Sequence, residues 1–119
     1  MQELAKQKCE PCEQGGKALA GKELSDLERE LGRDWRVVNS HHLEKLYKFK
    51  DFVSALAFTN KIGGIAEAEG HHPDIYLTWG KVRVEIFTHT VNGLTKNDFI
   101  LAAKIDSLPV QLKVDKKKK

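Results

Sequence analysis

Cysteine is scarce: the 119 residues hold two, Cys9 and Cys12. A structural zinc site usually takes four ligands, often as two close pairs, so Cys9-Glu-Pro-Cys12 supplies half of one. A redox Cys-x-x-Cys belongs at a strand–helix junction in a thioredoxin-like setting, and none is visible around it. The pair reads as two reduced thiols on a mobile end. Long apolar runs are also missing. No window approaches the ~18 residues that mark a membrane span. No apolar run follows the first charges, so no secretory signal is expected and the cytoplasm is the expected location. A surplus of basic charge is missing too. The net charge is +3, but without Lys116 to Lys119 the chain carries 16 basic against 17 acidic residues. A near-neutral body has no basic face, which argues against nucleic acid as a partner.

What is present suits one soluble domain: 40% apolar and 31% charged residues in a length typical of a single core. Residues 1–22 are polar, carry Gly15, Gly16 and Gly21, and lack a sustained apolar period, so they read as a flexible extension. Residues 23–114 carry the folding pattern, and residues 115–119 read as a solvated lysine tail.

Leu24, Leu27 and Leu31 fall at helical spacing, and Gly32 closes the run as a C-cap would. Trp35–Val38, a turn at Asn39-Ser40 and the alternating Leu43, Lys45, Tyr47 and Phe49 read as a hairpin. Asp51 is placed to cap a long helix reaching about Glu69. Its apolar residues, from Phe52 and Leu56 to Ile65 and Ala66, cover more than one stripe and predict deep packing. Pro73 stops helical continuation. Ile75–Thr78 and Val82–Ile86 then read as two strands joined near Trp79-Gly80. Thr95 with Asp98 three residues on forms a capping-box pattern, opening a last helix to about Asp106. The order α-β-β-α-β-β-α has two hairpins and no obligatory parallel crossover. It predicts an α+β fold, a four-stranded antiparallel sheet with helices packed on one face.

Three of the five histidines, His71, His72 and His89, lie between Glu67 and Asp98. Histidine exchanges a proton near neutral pH, its free pKa being about 6.5. The cluster points to acid–base chemistry or to a metal. Three histidines can hold a catalytic zinc. Adjacent histidines rarely converge on one point, however, and no His-Glu-x-x-His pattern is present, so no metal is expected. His41-His42 has no following proline and no matching acidic residue, and reads as a surface pair.

The stretch from Trp35 to Asp106 resembles the pterin-4a-carbinolamine dehydratase family. The resemblance rests on Glu67-x-x-x-His71-His72-Pro73, the later aromatic Trp79, Thr88-His89, and Gly93-Leu94-Thr95-x-x-Asp98. It covers about two thirds of the chain. It implies loss of water from 4a-hydroxytetrahydrobiopterin to give the quinonoid dihydropterin, recycling the cofactor of an aromatic amino-acid hydroxylase as pathway partner. It also implies a metal-free enzyme with no cofactor, the pterin being the substrate, assembled as a homodimer or homotetramer. Some family members instead bind a transcription factor, so a non-enzymatic interaction module on the same fold is the alternative, as is action on another pterin such as one of molybdopterin metabolism.

On that reaction the residues take roles. His71 and His89 form the acid–base pair, and His72 mainly holds the pterin. Glu67, one helical turn before His71, is placed to accept its ring N–H. Thr88 and Thr90, beside His89, offer hydroxyl and backbone groups to the pterin's amide-like edge, Pro73 joins the histidines in binding it, and Trp79 either walls the heterocycle or packs on its hairpin. Asp98 is either a capping residue or a member of the site.

Overall fold

The structure is a computed structural model, and it describes residues 18–31 and 34–108. Both cysteines, Gly32 and the lysine tail lie outside the described residues. Three helices and four strands follow the expected order: α1 Gly21–Leu31, β1 Arg36–Val38, β2 His42–Lys48, α2 Phe52–Glu69, β3 Asp74–Thr78, β4 Lys81–Ile86 and α3 Lys96–Asp106. A short 3₁₀ turn, His89–Val91, separates β4 from α3.

Each hairpin has a local cause. Asn39 and Ser40 both take left-handed φ, 54° and 55°, and the His41 N–H bonds the Val38 carbonyl at 2.8 Å. This is the turn whose twist matches that of paired strands. The sheet order is β1-β2-β4-β3, and every neighbouring pair is antiparallel. The two hairpins therefore join through β2 and β4, with Leu43 opposite Ile86 and Tyr47 opposite Val82. Alternation sends Leu43, Tyr47, Val82, Val84 and Ile86 into the core. The opposite face carries His42, Glu44, Leu46, Arg83 and Glu85.

The helices cover the apolar face. α3 is buried almost all round, from Asn97 through Ala103 and again at Ile105. A helix in that position touches neighbours on every side, here α1 and α2 among them. α2 departs from expectation. It buries one stripe, Ala55, Phe58, Ile62 and Ala66. Phe52, Leu56 and especially Val53, 73% exposed, look outward. One helix face can meet one core, so among the described residues the second apolar stripe stays turned outward.

The ordered fold also starts before Leu24. The Leu19 N–H bonds the Leu94 carbonyl at 2.7 Å, and Leu19 packs on the core. Gly93 permits this, since a Cβ there would stand 2.7 Å from the Ala18 Cβ. Leu19 thus packs on the core and α1 opens at Gly21, both within the stretch that the sequence reads as an extension.

Asp106 closes the far end of α3 onto the sheet. It accepts from the Trp35 Nε1–H at 2.9 Å, the Tyr47 hydroxyl at 2.7 Å and the Lys45 ammonium at 2.8 Å. Burial first, then the charge of Asp106, pushes the Tyr47 phenol far above its ordinary range and keeps it a donor. Asp106→Ala should leave these donors without their acceptor, at a cost of about 1–3 kcal/mol and a fall in Tm on the order of 10 °C. Thermal unfolding followed by circular dichroism checks this, and Tyr47→Phe should cost less than Asp106→Ala.

Candidate active site

The site begins where α2 stops. Gly70 takes left-handed φ, 66°, and its N–H bonds the Ala66 carbonyl. This is the usual end of a helix, because glycine reaches that conformation without a Cβ penalty. His71 still bonds Ala66 through its backbone N–H at 3.2 Å. Pro73 biases His72 toward extended backbone, and β3 follows at once. On the other side of the site, Thr88 and Gly93 form an antiparallel bridge that pinches off the turn carrying His89 and Thr90. Leu94 is buried, and Thr95 caps α3.

Asp98 joins these pieces. It has 0% exposure. Its Oδ2 accepts from the Thr95 backbone N–H at 2.7 Å and from the Thr88 hydroxyl at 2.9 Å. Its Oδ1 lies 2.5 Å from His71 Nε2. Thr88 spends its proton on Asp98, so at the 2.9 Å contact between the two hydroxyls Thr95 is the donor. A carboxylate away from water needs such partners, and Asp98 has three. Because Asp98 only accepts, neutral His71 carries its proton on Nε2 and keeps Nδ1 as a free lone pair. The His71 side chain is 11% exposed.

Glu67 meets the other histidine. Its Oε2 lies 2.6 Å from His72 Nε2, and both side chains are well exposed. The carboxylate on His71 is Asp98, not Glu67. The left-handed Gly70 breaks the i,i+4 geometry that would have faced Glu67 to His71. His89 is exposed on its turn, with its ring 4.3 Å from the Phe87 ring.

A family model described as Pterin 4 alpha carbinolamine dehydratase matches residues 17–108. The chain belongs to this family. A relative from Alkaliphilus metalliredigens (strain QYMF), named as a pterin-4-alpha-carbinolamine dehydratase, is 49% identical over 106 residues, covering 89% of this chain and 96% of its own. One from Rickettsia canadensis (strain McKiel), named likewise, is 55% identical over 104 residues, covering 87% and 95%. Among solved structures, a transcriptional coactivator/pterin dehydratase from Brucella melitensis matches with a TM-score of 0.71 and 30% identity, covering 76% of this chain and 97% of its own.

Within this dehydratase-family chain the expected residues divide. Asp98, Thr88 and His71 are bonded together, and His89 is the residue after Thr88. His72 with Glu67 and half-buried Pro73 stand on the adjoining loop. Thr88 cannot offer its hydroxyl to a ligand as expected, because Asp98 and Thr95 hold it. Thr90 is exposed and free of that constraint. Trp79 is not brought to the histidines. It sits at the opposite end of β3 from Pro73, about 20 Å away at the usual rise per strand residue. It is 68% exposed and neither walls a site nor packs on its hairpin within one chain.

Sequence reasoning misplaced His41 and His42. Both are half-buried, and the His41 ring lies 4.5 Å from Phe87, which in turn contacts His89. Only the β2–β4 register puts them there. Asp98→Asn should test the central bond. The amide can present N–H groups to His71, so the Nε2–H tautomer loses its reason to dominate. Nitrogen-15 NMR of the His71 ring should show a single Nε2–H tautomer in the parent protein and a mixture, or its reverse, in the variant.

Proposed function

We propose that this chain dehydrates a pterin-4a-carbinolamine by histidine acid–base catalysis, without a metal. The Asp98–His71 pair carries the reading. A buried carboxylate that fixes one tautomer of a histidine, and stabilises the imidazolium formed when that histidine takes a proton, is an arrangement for proton transfer. A pure interaction module has no use for it.

In this scheme His71 Nδ1 removes the proton from pterin N5. The N5 electron pair forms the N5–C4a double bond, and the C4a–oxygen bond breaks. His89 delivers a proton to the departing hydroxide, so water and the quinonoid dihydropterin leave together. Positioned acid and base groups contribute typically ~10² to 10⁴-fold each. His72, held by Glu67 on the exposed loop, and Thr90 bind the pterin. The substrate is supplied by an aromatic amino-acid hydroxylase, whose turnover produces the 4a-hydroxy adduct. The outward stripe of α2, Phe52, Val53 and Leu56, supports a homo-oligomer, since apolar surface of that kind is better covered than wet. A Trp79 wall would then come from a neighbouring copy.

His71→Ala and His89→Ala should each lower kcat by ~10² to 10⁴-fold. His72→Ala should act mostly through KM, as loss of uniform binding does. Asp98→Asn should lower kcat by ~10- to 100-fold, the usual worth of a group that orients another. A carbinolamine dehydration assay decides these values. Equal, small effects at all four positions would defeat the scheme, as would a chain that stays folded on dialysis against a chelator yet loses its activity and regains it with zinc. Sedimentation at micromolar concentration should show an oligomer, and Val53→Asp with Leu56→Asp should shift it toward a 13.5 kDa monomer.

A further inference from the structure

The sheet face turned away from the helices carries an unusual row. At one register level Arg36, Glu44 and Glu85 lie side by side on β1, β2 and β4, with Asp74 next on β3. Glu44 and Glu85 are direct cross-strand partners. Like charges in that relation destabilise a sheet. Arg83 pairs with Oε2 of Glu85, and its guanidinium lies over the Tyr76 ring, 4.0 Å from its centroid.

His42 precedes Glu44 by two residues and points to the same face. One donor atom from each of His42, Glu44 and Glu85 lies within 4.8 Å of the others. His42 Nε2 stands 3.7 Å from Glu44 Oε1. The three side chains are largely sheltered, 19%, 28% and 18% exposed.

A hydrogen-bond chain from outside this cluster orients the histidine. Asn92 Oδ1 only accepts, so His41 donates to it from Nε2 at 3.0 Å. A neutral His41 then accepts at Nδ1, and the proton in the 3.1 Å contact between the two Nδ1 atoms belongs to His42. Neutral His42 is left with an Nε2 lone pair turned toward carboxylate oxygens. A lone pair facing carboxylates repels them, and a shared cation removes the repulsion. An imidazole held by its other nitrogen is also the way proteins present a histidine to a metal.

We propose that His42, Glu44 and Glu85 form a site for a divalent transition ion, zinc foremost. One imidazole and two carboxylates suit zinc, with water in the fourth position. Around zinc, bonds of about 2.0–2.2 Å set tetrahedral donors roughly 3.4 Å apart, so side-chain rotation alone closes the set. None of its three ligands is a residue of the dehydration proposed above, and the site takes no part in that scheme. It ties β2 to β4 at the point where the two hairpins meet.

The test uses the full chain carrying Cys9→Ser and Cys12→Ser, which removes competing thiols, stripped with a chelator. Zinc chloride is titrated in calorimetrically, and bound zinc is counted by mass spectrometry. One zinc per chain is expected, with a zinc-dependent rise in Tm, as for any ligand of the native state. Glu44→Gln with Glu85→Gln keeps the shape, and should weaken zinc at least about 100-fold. His42→Asn should do the same and decides the matter if the double variant does not fold. His71→Ala with His72→Ala and His89→Ala should bind zinc as the parent does. No binding by the parent would overturn the proposal. So would binding that survives loss of His42 or of both glutamates, or that vanishes with the triple histidine change.

Discussion

The Asp98 carboxylate is the point on which the rest of this structure hangs. It is a charge without water, and three donors from three parts of the chain hold it: the start of α3, Thr88 two residues after β4, and the loop between α2 and β3. Removing a lone partner from a buried charge is costly, so the three segments are bound to one another through it. The same oxygen pair caps a helix and fixes a histidine. Stability and proposed chemistry therefore share one residue, and substitutions there act on both.

Around that point the fold supplies rigid edges. Gly70 turns α2 off so that His71 faces inward and His72 outward, giving neighbouring histidines different surroundings. Gly93 lets the chain at Ala18–Leu19 lie against the turn that carries His89. Asp106 does at the far end of α3 what Asp98 does at the near end, gathering Trp35, Lys45 and Tyr47 onto one carboxylate. α3 is thus pinned at both ends by acids that reach across the chain.

Local patterns carried most of the fold. Asn39-Ser40, Asp51 and the Thr95-x-x-Asp98 pair are short-range signals, and each marks the turn or cap it predicts. The site was legible as a set of residues and less so as a set of contacts. The cap at Asp98 uses Oδ2 and can be read from Thr95. The destination of Oδ1 depends on where a loop 27 residues earlier in the chain falls. Glu67 was matched to His71 by counting helical residues, and one left-handed glycine voids that count. His41 and His42 look like surface because their neighbours, Phe87 and Asn92, arrive through strand pairing across a whole intervening helix. The two apolar stripes of α2 are visible in sequence, but which one meets the core is a tertiary decision.

The near-complete burial of α3 has a kinetic consequence. Segments open to solvent in cooperative units, and those with the most buried surface open only with the whole protein. Asp98 sits in the first turn of such a segment, so its grip on His71 is not released by the fraying that loosens surface loops and helix ends. The seat of the proposed proton transfer persists for as long as the molecule stays folded. A core substitution elsewhere then reduces the number of working molecules and leaves the rate of each one unchanged.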